Sequence, residues 1–312
     1  MRRQQMVMMV GGVLLSGCVS EERLASWLAD EALSDTDGDS LPVVDTDTEF
    51  GGDTDTEVGG DTDTTEVDCP AGMEEVPAQT FQMGCTAGQS DCYERESPVT
   101  TVTLTRSFCM DATEVTQEMY EGLMGSNPSY FSSCGADCPV EEVSWHDAAL
   151  YANARSTAEG LSTCFVCASD ECEPSSNYLD CSGYRLATEA EWEAAARCGE
   201  DLLYAGSDTS NEVAWTSENE GAATHPAGQL AANACGLFDM SGNVWEWTLD
   251  WYGEYPGGSV SDPVGAQSGS VRVYRGGSWY YVPQHARVAV RYSYSPGYRD
   301  YRVGFRLVRT LP

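Results

Sequence analysis

Cysteine placement constrains this chain more than any other feature. There are thirteen cysteines in 312 residues, the last is Cys235, and none follows it. Cys18 stands alone near the N-terminus, and the other twelve lie between Cys69 and Cys235. Twelve is an even number, and in an oxidising compartment it reads as up to six disulfides. Short separations suggest small loops closed by Cys85 with Cys92 and by Cys134 with Cys138, and some pairing among Cys164, Cys167, Cys172 and Cys181. Cys69 with Cys109 and Cys198 with Cys235 would be longer staples. Spacing alone leaves the connectivity open. Zinc is the competing use of the CFVC run at 164–167, but no second CxxC or histidine pair stands at a matching distance.

The N-terminus supports the oxidising compartment. MRRQQ is a positive n-region, and MVMMVGGVLL is an apolar stretch too short to span a bilayer. LSGC then ends at Cys18. The arrangement resembles a bacterial lipoprotein signal, in which residues 1–17 are removed and Cys18 carries acyl chains. Such chains tether a protein to a membrane without spanning it. Val19 is not aspartate, which by analogy with enteric bacteria favours the outer membrane. The resemblance therefore implies a lipid-anchored protein of the bacterial cell envelope.

Residues 18–68 read as an acidic stalk. DTDTEFGG, DTDTEVGG and DTDTTEV follow one another from residue 45 to 67, each with too little apolar side chain to bury. Like charges extend such a segment and glycine pairs keep it flexible. DTDGD at 35–39 has the alternating carboxylates of a calcium loop but lacks the acidic residue at its far end. The whole chain carries a net charge of -34 with no lysine; residues 21–68 contribute -16 and residues 69–312 contribute -20. A surface this acidic repels phosphate backbones, which argues against nucleic-acid binding.

From Cys69 to the C-terminus no second linker appears, so residues 69–312 read as one domain. Thr116–Met124 is expected to be helical. Ser144 to Asp147 and Thr188 to Glu191 have the spacing of capping boxes. The first leads a helix that places Trp145, Ala149 and Ala152 on one face and ends at Gly160. The second runs through EWEAAAR to a C-terminal glycine, Gly199. VTTVTLTRSF (99–108) and RVGFRLVR (302–309) alternate as strands. Trp245, Trp247 and Trp251 read as core. A few helices among short strands and much irregular chain indicate an α+β, loop-rich domain.

Seven segments in order carry a further resemblance. They are FQMGC (81–85), DATEVTQEMYEGLMGSNPSYF (111–131), PVEEVSWHDAALYAN (139–153), YRLATEAEWEAAAR (184–197), GLFDMSGNVWEWTLDWY (236–252), RVYRGGSW (272–279) and RVGFRLVR (302–309). Together they resemble the sulfatase-modifying-factor domain, the family of the formylglycine-generating enzyme, over residues 72–309. The resemblance implies an irregular variant of the C-type-lectin fold. It also implies, for enzymes of the first kind, oxidation of a sulfatase cysteine by oxygen and copper. Other members are iron-dependent sulfoxide synthases, whose histidines come from an extra helical domain that this chain lacks, or have accessory roles.

The copper chemistry needs two thiolates, which bind Cu(I) and exchange with the substrate thiol. In the family they stand two residues after the aromatic of RGGS and five residues later. Those positions hold Tyr281 and Ala286 here, which argues against copper. The family's structural calcium carries over onto Asp239, the carbonyls of Gly242 and Val244, and Glu246, with Asn219 a candidate for a second ion. Among the three histidines, His146, His225 and His285, the last lies in the relevant loop, where it reads first as an exposed loop histidine and second as a metal ligand, an acid or a base. Arg275, Arg287 and Arg291 could grip a carboxylate or phosphate, or else pair with the domain's own acids. Glu141 and Glu142 read as a solvated edge.

Three functions fit. One is a non-catalytic lipoprotein module binding a peptide, protein or glycan in a groove beside residues 277–291, where Trp279, Tyr280, Tyr281, His285, Arg287, Arg291 and Tyr292 stand. The second is an oxidoreductase of the family acting on a protein cysteine through a changed site. The third is a calcium-stabilised structural module of the envelope. The family frame beside absent thiols favours the first.

Overall fold

The computed structural model describes residues 68–219 and 221–311. The chain divides into Met1–Thr62 and Asp63–Pro312, and every described residue belongs to the second unit. The signal segment, Cys18, the acidic repeat and the DTDGD run lie outside the described residues. Among the described residues, no helix is long and apolar enough to cross a membrane.

The helices begin where side-chain oxygens can replace missing backbone acceptors. Helix α1 (Gln117–Met124) starts at Thr116, whose hydroxyl accepts from the Met119 amide. Helix α2 (Trp145–Ala158) has a full capping box between Ser144 and Asp147, and Trp145, Ala149 and Ala152 are buried on one face. Helix α3 (Glu189–Arg197) has a second box between Thr188 and Glu191. It is buried all round, so its small alanines let neighbouring chain approach on every side. It stops one residue earlier than the glycine suggests. Cys198 itself takes the left-handed conformation at φ 43°, donating to the Ala194 carbonyl, and Gly199 follows at φ 78°. A short α4 covers Ser210–Val213.

Strands are brief. One antiparallel sheet has the order β1 (Met73–Val76), β4 (Phe108–Asp111), β15 (Leu307–Thr310), β7 (Tyr184–Leu186). A second runs β13 (Arg291–Tyr294), β12 (Arg272–Arg275), β10 (Trp245–Trp251), β14 (Val303–Gly304). A third joins β11 (Gly258–Ser261), β3 (Thr100–Leu104) and β2 (Gln79–Met83). Two small pairs, β5 (Phe165–Ala168) with β6 (Glu171–Pro174) and β8 (Ala214–Trp215) with β9 (Ser241–Gly242), complete the set. The domain is thus α+β and loop-rich.

Both segments read as single strands are broken. Residues 99–108 split because the amide and hydroxyl of Thr105 turn away to the Asp262 carboxylate, at 2.9 and 2.6 Å. Residues 302–309 split because the Phe305 carbonyl accepts from Val115 and the Arg306 side chain runs inward to Glu246. All twelve described cysteines form disulfides: Cys69–Cys109, Cys85–Cys92, Cys134–Cys138, Cys164–Cys181, Cys167–Cys172 and Cys198–Cys235. The CFVC run therefore serves two separate disulfides and not a zinc ion. Trp245 and Trp247 are core as expected, while Trp251 is only half-buried.

Candidate functional site

The RGGSW segment leaves β12 and makes a turn that only glycine permits. Gly276 and Gly277 have φ of 94° and 82°. A Cβ on Gly277 would lie 2.7 Å from both the Ala286 Cα and the His285 carbonyl oxygen, a clash with backbone that cannot move aside. The close approach fixes the two ends of the loop against each other. Between them Pro283–His285 forms a single 3-10 turn, and the Ala286 amide donates to Pro283.

The two family thiol positions end up in different surroundings. Ala286 is 1 % exposed and packs with Tyr204, Val213 and Ala214. Tyr281 is half-buried, and its hydroxyl accepts from the Arg302 guanidinium at 2.9 Å. Tyr281 also lies against His285, whose Nδ1 is 3.5 Å from the Tyr292 hydroxyl. Burial lowers the His285 pKa, and the charges of Arg95 and Arg287 lower it further.

Of the other expected groove residues, Tyr280 is exposed and Trp279 is buried. The guanidinium groups of Arg287 and Arg291 are already engaged by internal acids. Arg287 grips Glu96 through two nitrogens, and Arg291 grips Glu189 in the same way. Arg275 is equally committed, to Glu193 and the carbonyls of Val288, Ala289 and Val290. The arginines beyond RGGS are thus internal ties that hold the loop to α3 and to the chain around Glu96. Next to the loop an open cavity of about 610 Å3 is lined by Gln89, Asp91, Tyr204, Asp208, Gln284 and Arg287.

Sequence reading missed two parts of this surface. Tyr130 and Tyr301 join Trp279 and Tyr280 in one aromatic patch, with Tyr130 70 % exposed and Arg302 stacked on Tyr280, Tyr281 and Tyr301. Glu141, expected at a solvated edge, is fully buried, and Glu142 is half-buried. The Glu141 carboxylate accepts the amides of Tyr130 and Phe131, at 3.0 and 2.7 Å, and so holds the patch in place. Burial pushes its pKa up to about 7 against the pull of those two donors. The PSYF letters at 128–131 gave no sign of this, because the partner stands ten and eleven residues further on and only the folded loop brings it back.

Of the expected calcium ligands, Glu246 is bonded to Arg306 and Asp239 lies within electrostatic reach of both. Glu246 is fully buried and occupied, with Arg306 on both oxygens and the Trp192 indole on one. Asp239 accepts the Gly228 amide on one oxygen, while its other oxygen has no hydrogen-bond partner. Glu114, also fully buried, has no partner on either oxygen. Burial raises its pKa well above the carboxylate range, and the charge of Asp239 adds to that. Asn219, by contrast, is satisfied within its own turn by Thr216 and Ala214. His146 accepts from the Cys172 amide, and His225 stacks on Trp215 at 3.8 Å.

Residues 60–311 match the sulfatase-modifying factor enzyme 1-like domain. The chain belongs to that family. Among relatives of the sulfatase-modifying factor domain, it is 33 % identical over 235 residues to the chaperone protein LppX of Paenibacillus barcinonensis, covering 65 % of this chain and 80 % of that protein. It is 32 % identical over 188 residues to the formylglycine-generating enzyme of Streptomyces coelicolor, covering 54 % of this chain but only 51 % of the enzyme. The structure of Treponema denticola variable protein 1 superposes with a TM-score of 0.68 and 32 % identity, over 77 % of this chain and 95 % of that one. Six disulfides belong to an oxidising, extracytoplasmic setting.

Proposed function

We propose that this protein is a lipid-anchored binding or accessory module of the cell envelope that uses the sulfatase-modifying factor frame to hold polypeptide without oxidising it. The observation that carries this reading is the pair Tyr281 and Ala286. No cysteine follows Cys235, and the twelve described cysteines are all spent on disulfides. The loop therefore has no thiolate to bind Cu(I) or to exchange with a substrate thiol. Ala286 is sealed against Gly277, so that position offers no group to a ligand.

What the loop does present is an aromatic surface. Tyr280 on the loop, with Tyr130 and Tyr301 beside it and Arg302 over Tyr280 and Tyr301, supplies rigid contact area of the kind that dominates interface energies. The chaperone name of the Paenibacillus relative supports handling of another protein. The C-type-lectin kinship implied by the sequence fits a scaffold that displays a loop in this way.

Calcium belongs to the same reading as a structural ion. Buried carboxylate oxygens without donors, on Asp239 and Glu114, fit a hard cation. Glu246 fits it less directly because Arg306 and Trp192 occupy its oxygens. A bound ion would be held by Asp239 and the Gly242 and Val244 carbonyls, and would neutralise charge that Arg306 alone does not balance.

The deciding experiment incubates the full chain with a peptide carrying Cys-x-Pro-x-Arg, copper and oxygen, followed by mass spectrometry. An unchanged cysteine is expected. Aldehyde formation would overturn the reading in favour of an oxidoreductase with a changed site. For the anchor, labelled fatty acid should enter the wild-type chain and not Cys18→Ala; incorporation in both variants would refute attachment at that residue.

A further inference from the structure

One arginine stands apart. The folded part is acid-rich, with a net charge of -20 over residues 69–312, so acids are not scarce partners. Arg106, Arg155, Arg185, Arg197, Arg272, Arg275, Arg287, Arg291, Arg299, Arg302 and Arg306 each have a carboxylate, and Arg309 donates to the Ser182 carbonyl. Among the described residues Arg95 has neither. Its Nε is buried with no hydrogen-bond partner, although the side chain as a whole is only half-buried.

Its surroundings hold it in a definite pose. The guanidinium carbon lies 3.5 Å from the centre of the Tyr292 ring and 4.7 Å from that of Tyr93. Tyr93 in turn stacks with His285. Ring contacts of this kind fix the guanidinium plane and leave its edge as the hydrogen-bonding face. The charges beside it are Arg287, of the same sign, Glu96, and the solvent-exposed Glu94 of the same turn, which makes no ion pair with it. Arg287 stands near enough to Tyr93 for a cation–π contact at 5.4 Å, and Glu96 is committed to Arg287. Among the described residues the Arg95 guanidinium thus has no carboxylate at ion-pair distance, and the corner lies against His285, next to the position where the family's second thiol would be.

We propose that Arg95 anchors a carboxylate subsite for a polypeptide ligand, with Tyr93, Tyr292 and His285 as its walls. This rests on the binding-module reading above. A fixed guanidinium edge matches a planar carboxylate in a paired, charge-assisted contact. The acidic domain repels polyanions, and at physiological salt fields are screened beyond about 8 Å, so the corner selects a single carboxylate at contact range. Exposed apolar surface lies on the same loop, with Tyr280 50 % and Val282 44 % exposed. The ligand is therefore a carboxylate beside a hydrophobic residue, from either a chain terminus or a lone acidic side chain.

The test titrates the full chain, 15N-labelled in arginine, with three probes: acetyl-Ala-Leu-Phe with a free carboxyl, its C-terminal amide, and acetyl-Ala-Glu-Phe-amide. The free acid should bind about tenfold or more tightly than its amide and should move the Arg95 side-chain signal. Arg95→Gln, with its disulfides and melting intact, should lose that preference while binding the amide as the wild type does. If the glutamate probe matches the free acid, the source is any lone carboxylate; if it binds like the amide, the source is a chain terminus. Equal affinity for the first two probes, a preference that survives Arg95→Gln, or no binding at millimolar concentration would each overturn the subsite. Equal affinities that both fall in Tyr280→Ala would remove the subsite and leave the binding module standing. A carboxylate preference alongside aldehyde formation would do the reverse.

Discussion

Arg287 and Glu96 lie 191 residues apart in the chain and meet in the interior, two guanidinium nitrogens on two carboxylate oxygens at 2.9 and 3.0 Å. Neither side chain is more than 3 % exposed. This pair ties the loop to the segment ahead of β3. Removing one partner leaves a buried charge without its counter-ion, so Glu96→Ala should cost about 3–5 kcal/mol. The double change Glu96→Leu with Arg287→Met should recover most of the loss. Urea denaturation of both variants checks this; a harmless Glu96→Ala would mean that water reaches the site.

The disulfides should rank by the loop each one closes. Cys198–Cys235 spans 37 residues and Cys134–Cys138 spans 4. On chain entropy the first contributes about 4 kcal/mol and the second about 2 kcal/mol. Paired serine substitutions, each followed by equilibrium unfolding, should show the longer loop costing more. The opposite order would point to strain or to denatured-state structure as the dominant effect.

Asp250 makes stability depend on pH. Burial pushes its carboxyl up to about 8, and the charge of Glu189 contributes. Between the ordinary value of 3.8 and that of the folded state, the native protein keeps a proton that the unfolded chain has released. Stability therefore falls as pH rises through that window. Asp250→Asn retains an acceptor for the Glu189 amide and should flatten melting temperature against pH from about 4 to about 8. A slope unchanged by the substitution would assign the dependence to other groups.

Calcium should be visible in a melt. A ligand that binds only the folded state raises the melting temperature by mass action. Chelator should lower it for the wild type and have no further effect on Asp239→Ala. Identical melts of the wild type in chelator and in millimolar calcium would remove the ion from the description.

Much of the fold was legible because its signals are local. The two capping boxes need only four adjacent residues, and the two longest helices begin where those residues stand, whereas the short Ser210–Val213 helix has no side-chain cap and left no such signal. The candidate site was legible only in part. The missing thiols could be read from letters alone. The fate of Arg287 and Arg291 could not, because Glu96 and Glu189 reach them from distant parts of the chain. The same holds for Glu141, whose role depends on amides ten and eleven residues away that the fold brings to it. Alternation failed at 302–309 because a buried arginine there is held by Glu246, a partner outside the strand pattern.

The Cys69–Cys109 link has a mechanical consequence. Cys109 lies in β4, which is hydrogen-bonded to β1 on one side and to β15 on the other. Tension applied to the chain ahead of Cys69 bypasses the edge strand β1 and arrives, through a covalent bond, at a strand gripped from both flanks. Unzipping one ladder a bond at a time is then no longer the route to failure; two ladders must shear together. A domain built this way resists a pull applied at Cys69 better than one whose first strand carries the load alone.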